Sequence, residues 1–143
     1  MRLEPPTTRV VWRERMTFDA TTNSGHSLLL DSAPPNGDDR GARPMELLLT
    51  ALAGCAAMDV LSILEKKREA VEGFEVVIHA KRAHEHPRVY TEIQVLYRVR
   101  GNVNARSLQR AIELSETKYC GVAAMLGKCA TITSQYEIEP PQT

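Results

Sequence analysis

At 143 residues the chain has the length of one domain, with enough side chains for a real core but not for two independent ones. Its 18 basic and 18 acidic side chains cancel, so no global field draws in nucleic acid or an anionic membrane surface. Three cysteines, Cys55, Cys120 and Cys129, are too few and too far apart for a disulfide scaffold, and no CxxC pair or cysteine and histidine spacing matches a zinc site, so no metal and no other cofactor is predicted.

The opening stretch MRLEPPTTRVVWRERM lacks the basic-then-apolar layout of a signal peptide, its two prolines and scattered charges preventing an apolar segment. A cytoplasmic protein with reduced thiols is expected. RVVWRERMTF (9–18) and HSLLLD (26–31) read as two strands joined by the turn-rich DATTNSG, a hairpin over 8–31. SAPPNGDDRGARP (32–44) is a loop, since its proline, glycine, asparagine and aspartate supply turn dihedrals and little to bury.

The segment PMELLLTALAGCAAMDVLSILEKKR predicts a helix over 44–68, with Pro44 suited to its first turn and Lys66, Lys67 and Arg68 to its last. Residues 47 to 64 are apolar almost all round, interrupted by Thr50, Gly54, Asp59 and Ser62. An aspartate inside the run and the absence of a second apolar segment argue against a membrane span. The helix is therefore read as buried on every side. One chain of this size has too little structure to surround it, which predicts a homodimer in which two such helices pack together under sheets from both chains. Gly54 and the alanines would let them approach closely. Within this helix ALAGCAAM places Cys55 among small residues, where a free cysteine packs as a small hydrophobe.

FEVVIHAKRA (74–83) and VYTEIQVLYRVR (89–100) alternate in the strand period, and EHPR turns between them, a hairpin over 74–100. Of His79, His84 and His86, positions 84 and 86 point to one side of a strand, but no third or fourth ligand is evident, so they are read as an exposed hairpin end. NARSLQRAIELSETK (104–118) is amphipathic, with Asn104 as N-cap and Leu108, Ile112 and Leu114 or Ser115 near one face. YCGVAAMLGKC continues as a second short helix after a break at Gly121, giving helices over 104–128, and ATITSQYEIE closes the chain as a strand over 130–139. Cys120 thus stands at the start of a helical piece, where unpaired backbone amides favour a thiolate. Cys55, mid-helix, gains little from a dipole and needs a nearby cation or donor. The 65 residues between them do not say whether the two sulfurs meet.

PMELLLTALAGCAAMDVLSILEKKR, EHPRVYTEIQVLYRVRG and RAIELSETKYCGVAAML, in that order, resemble the OsmC/Ohr family of small cysteine peroxidases over a span from about Met16 to Ile138. The resemblance is to the broad OsmC-like branch rather than to the organic hydroperoxide resistance branch. It implies an α+β fold, a single OsmC-like domain over 1–143, and an intertwined homodimer whose two central helices are wrapped by sheets built from both chains. It further implies that Cys55 is the peroxidatic cysteine and Cys120 the resolving one, acting on organic hydroperoxides in oxidative or osmotic stress defence. A dithiol reductant, in the family often a lipoyl group, would restore the pair.

The sequence also departs from the resistance branch, where a glutamate directly after the helix-opening proline and an arginine from the N-terminal hairpin activate the thiol. Here Met45 follows Pro44, Glu46 lies about 100° further round the helix, and Asn23 falls on the arginine's place. Arg40 or Arg43 from the loop, or Arg15 from the first strand, are the cations that could serve instead. Asp59, four residues after Cys55 on the same helical face, could hold a donor near the thiol or be a polar group satisfied at the dimer interface. Cys129 has no partner in the family pattern. The missing activating pair also leaves open a non-enzymatic dimer that binds an apolar ligand or senses redox state.

Overall fold

A computed structural model describes residues 4–142. The chain divides into two compact units, one ending at Leu48 and the other beginning at Leu49. The first holds three antiparallel strands, β1 (Thr8–Glu14), β2 (Thr17–Thr22) and β3 (Ser27–Leu30), in the order β1-β2-β3. Three strands replace the two expected over 8–31. RVVWRERMTF is not one strand, because Arg15 adopts a left-handed φ of 51° and reverses the chain so that Glu14 pairs with Thr17. Of DATTNSG, residues 19 to 22 continue β2, and the reversal is confined to the residues around Gly25, whose φ is 88°. There the Gly25 N–H donates to the Thr22 carbonyl at 2.9 Å.

The loop after β3 is organised by one carboxylate. Asp31 is only 3% exposed and accepts from the Thr17 hydroxyl at 2.9 Å and from the backbone N–H groups of Ser32, Arg40 and Asp38 at 2.7, 3.1 and 3.4 Å. A buried carboxylate is tolerable only with such a set of donors. Gly37 belongs to this arrangement, since a Cβ there would collide with the Ser32 carbonyl and come within 2.5 Å of Asp31 Oδ1.

Helix α1 runs Pro44–Lys66, two residues short of the expected end, and Arg68 turns the chain out of it with a φ of 56°. At its start the Glu46 carboxylate accepts the Arg43 backbone N–H at 3.0 Å, half of a capping box. Its buried residues, Leu52, Ala56, Val60 and Leu64, form one stripe at four-residue spacing. The expectation of burial on every side is not met within one chain. Met58 is 76% exposed and Leu48 is exposed as well, while nothing lies within 4 Å of the place a Cβ would take on Gly54. By length and composition alone, α1 is also the one helix among the described residues that could cross a membrane.

In the second unit β4 (Ala70–Arg82) and β5 (Tyr90–Asn102) form the expected hairpin, extended at both ends, and β6 (Thr131–Glu139) joins the far side of β5 in parallel, giving the order β4-β5-β6. A parallel neighbour needs a crossover connection, and here it consists of α2 (Ala105–Leu114), a π-helical turn (Ser115–Tyr119) and α3 (Gly121–Leu126). Asn104 caps α2 as its sequence suggests, its side-chain oxygen accepting from the Arg106 and Ser107 N–H groups at 2.8 and 3.3 Å. Ile93, Val95, Tyr97 and Val99 alternate on the buried face of β5. With Leu108, Ala111 and Ile112 of α2 and the α1 stripe they make up the core of this unit. Leu64 and Leu108 are fully buried, so truncating either to alanine would cost about 2–5 kcal/mol.

Candidate functional site

The site is assembled from α1 and the crossover. Residues 55 and 59 are one helical turn apart on α1, and both are half-buried, flanking the stripe of Ala56 and Val60. Cys120 comes from the junction between the π-helical turn and α3 and is 3% exposed. The Sγ atoms of Cys55 and Cys120 and a carboxylate oxygen of Asp59 all lie within 4.8 Å of one another. Both cysteines are free thiols. The two sulfurs that the sequence left 65 residues apart therefore meet.

The π-helical turn makes this meeting possible. The backbone N–H of Cys120 donates to the Ser115 carbonyl at 2.7 Å, five residues back instead of four. Ser115, fully buried, turns its hydroxyl the other way and donates to Asp59 Oδ2 at 2.9 Å. One residue thus anchors the backbone of Cys120 and orients the carboxylate beside Cys55. Ser115 stood out in the sequence only as a residue near the buried face of α2, and its role was missed.

Cys120 is the N-cap of α3, and the Ala123 N–H donates to its Sγ at 3.3 Å. The helix amides favour a thiolate here, as the sequence suggests, but burial outweighs them. Burial pushes the Cys120 thiol up from 9.0 to about 11, the neighbouring Cys55 adds to the rise, and the amide contact opposes it without prevailing. A second polar network lies near Cys120 and Asp59. The buried Tyr97 hydroxyl donates to Glu116 Oε1 at 3.3 Å and the Ser134 hydroxyl to Glu116 Oε2 at 3.2 Å. Burial first, and Glu116 second, hold the Tyr97 phenol protonated well above its ordinary range.

Of the other residues singled out in the sequence, the three candidate arginines and Glu46 lie in the N-terminal unit and have partners there. Arg15 pairs with Asp38 at 3.2 Å and donates to the Pro35 carbonyl at 2.7 Å. Arg40 pairs with Glu14 at 3.0 Å, and Arg43 with Asp39, its guanidinium also donating to the Gly41 carbonyl. Asp39 and the Glu46 and Asp31 carboxylates hold Arg43 firmly charged. Glu46 caps α1, as described above, and Asn23 is exposed in the β2–β3 turn. Cys129 is exposed, its thiol donating to the Leu126 carbonyl at 3.4 Å.

The comparisons agree with this architecture. The chain is 42% identical over 131 residues to Protein YhfA of Escherichia coli (strain K12), covering 91% of this chain and 96% of that protein. A crystal structure of a hypothetical protein from Aquifex aeolicus VF5 superposes with a TM-score of 0.85 at 31% identity, covering 98% of this chain and all of that one. An organic hydroperoxide resistance protein from Elizabethkingia anophelis shares the fold, with a TM-score of 0.64 at 12% identity over 97% of this chain and 98% of its own. The family model for OsmC-like protein matches residues 37–135, which include α1, the hairpin and the whole crossover. On these grounds the chain belongs to the OsmC-like protein family.

Proposed function

We propose that this protein is a cofactor-free thiol peroxidase for organic hydroperoxides, working in the cytoplasm as an intertwined homodimer in oxidative or osmotic stress defence. The observation that carries the reading is the approach of the Cys55 and Cys120 sulfurs, with the Asp59 carboxylate, to within 4.8 Å. A disulfide needs sulfurs about 2 Å apart, so a small rotation of free side chains closes the gap.

In this reading the Cys55 thiolate attacks one peroxide oxygen, the O–O bond breaks, and the departing alkoxide takes a proton to leave as an alcohol. Cys55 is then a sulfenic acid. The Cys120 sulfur attacks the Cys55 sulfur, its proton and the hydroxyl leave together as water, and a disulfide forms. A dithiol, with a lipoyl-type group the favoured chemistry, reduces that disulfide by two exchanges and is itself oxidised to a disulfide. In this reading Asp59, held by Ser115 at 2.9 Å, accepts the thiol proton in the first step, whereas the sequence pointed to a cation, Arg15, Arg40 or Arg43, to stabilise the thiolate. Cys55 borders an apolar helix face, which favours alkyl hydroperoxides over hydrogen peroxide because the alkyl group leaves water.

Dimerisation is supported by what one chain leaves open. Leu47, Ala51, Gly54, Met58 and Leu61 recur at three- and four-residue spacing on the side of α1 opposite the buried stripe. Gly54 has empty space before it, and every residue of β1 is exposed, Val10, Val11 and Trp12 included. Such apolar surface marks an interface.

Addition of cumene hydroperoxide to the reduced protein, followed by a count of free thiols, tests the reading. Loss of two thiols per chain per equivalent of peroxide is expected, and no stoichiometric loss would end it. A second reading, a non-enzymatic dimer that binds an apolar ligand or senses redox state, is favoured by Met45 at the usual glutamate position and by the raised Cys120 thiol. It predicts slow oxidation together with saturable binding of a hydrophobic probe that Cys55→Ser leaves intact.

A further inference from the structure

We propose that the reduced thiol pair is a binding site for a thiophilic divalent cation, with zinc the best fit, in which Cys55, Cys120 and Asp59 supply three ligands. Two sulfurs and one carboxylate oxygen, all mutually within 4.8 Å, form a mixed donor triangle drawn from two separate segments of the chain. Zinc bonds of about 2.3 Å to sulfur and 2.0–2.2 Å to oxygen in a tetrahedron set ligand-to-ligand edges of roughly 3.5–3.8 Å. The triangle therefore needs to contract by no more than about 1.3 Å, within reach of side-chain rotation.

The surroundings suit a metal as well as the ligands do. The Ser115 hydroxyl donates to Asp59 Oδ2 at 2.9 Å and fixes the carboxylate while leaving lone pairs for a cation, the arrangement by which outer hydrogen bonds hold metal ligands in place. Cys120 is buried while Cys55 is only partly so, so one side stays open to water or an external thiol as a fourth ligand. On binding, each thiol gives its proton to solvent and each thiolate donates a lone pair to the cation. No electron is transferred. The same two sulfurs would form the disulfide, so a bound cation and a closed disulfide exclude each other.

Anaerobic titration of the reduced full-length protein with cobalt(II), read by absorption, tests this inference in the absence of peroxide. One equivalent is expected to give thiolate-to-cobalt charge transfer with tetrahedral visible bands, and one equivalent of zinc should displace it. Cys55→Ser or Cys120→Ser should each abolish the two-thiolate spectrum, Ser115→Ala, which removes the hydrogen bond that holds Asp59, should weaken binding by about 10–100-fold, and Cys129→Ser should leave it unchanged. A spectrum that never forms, that survives Cys120→Ser, or that disappears with Cys129→Ser would overturn the site. Because no peroxide is present, failure here is distinct from failure of the peroxidase reading, and either can stand without the other.

Discussion

Ser115 and Asp59, 56 residues apart in the chain, are joined by a hydroxyl-to-carboxylate hydrogen bond of 2.9 Å that ties the crossover to α1 beside the thiol pair. Ser115→Ala removes the donor and leaves a half-buried carboxylate oxygen without its partner. The expected cost is about 1–3 kcal/mol, seen as a lower denaturant midpoint at an unchanged slope. Ser115→Ala should also slow the oxidation of Cys55 by peroxide, and Ser115→Thr, which keeps the hydroxyl, should restore most of that rate if orientation of Asp59 is what the bond provides.

The two cysteines should separate chemically when one is removed. In Cys120→Ser, peroxide should convert Cys55 to a sulfenic acid that persists long enough to be captured by dimedone, giving a single mass addition per chain. In Cys55→Ser no capture is expected at Cys120, whose thiol is buried and raised to about 11. Equal capture in both variants would contradict the assignment of roles.

That raised thiol also sets a pH dependence. Below about pH 11 the thiolate fraction of Cys120 rises about tenfold per pH unit. Disulfide closure after oxidation of Cys55 should therefore accelerate with alkalinity from neutral pH upward, measured by quenching with acid and separating the oxidised forms. Alkylation with iodoacetamide at neutral pH should reach exposed Cys129 well before buried Cys120.

Asp31 gives a prediction of opposite sign. Burial works against its ionised form, but the donors from Ser32, Thr17, Arg40 and Asp38 outweigh it and hold its carboxyl below the ordinary 3.8. A group depressed in the folded chain contributes stability that is complete above its unfolded value and is lost as pH falls through its folded one. The loop from Ser32 to Arg43 should thus stay ordered down to about pH 4 and loosen below, visible as faster hydrogen exchange at the Asp38 and Arg40 amides. Gly37→Ala should cost roughly 1–3 kcal/mol at every pH, because its Cβ meets backbone that cannot move aside.

Met58→Lys places a charge on the open face of α1, where Met58 is 76% exposed in one chain. In a monomer this substitution would be nearly neutral. In the proposed dimer it puts an unpaired charge between two helices, so sedimentation should show a shift to the monomer.

Much of the second unit can be read in the sequence because local signals and the final structure agree there. Alternation marks the buried face of β5, and Asn104 caps α2. The N-terminal strands mislead for a physical reason. Arg15 makes a left-handed turn with none of the glycine, asparagine or aspartate that usually announces one, while DATTNSG advertises a turn four residues before it happens. The site is legible in its cysteines, through resemblance, and in Asp59, through helix spacing. Its organising bonds are not, because Ser115 and Asp59 meet only through tertiary structure and a π-helical turn has no local sequence pattern.

That turn also makes the site sensitive to chain length and not only to residue identity. The five residues from Ser115 to Tyr119 carry one more than an α-helical turn would need. Deleting any one of Glu116, Thr117 or Lys118 would let the ladder relapse into ordinary α-helix and swing Cys120 about 100° around the axis. Every atom of Cys55, Asp59 and Cys120 would survive such a deletion, yet the two sulfurs would face different directions. A relative with a one-residue gap at this turn would thus keep both cysteines and lose their conversation.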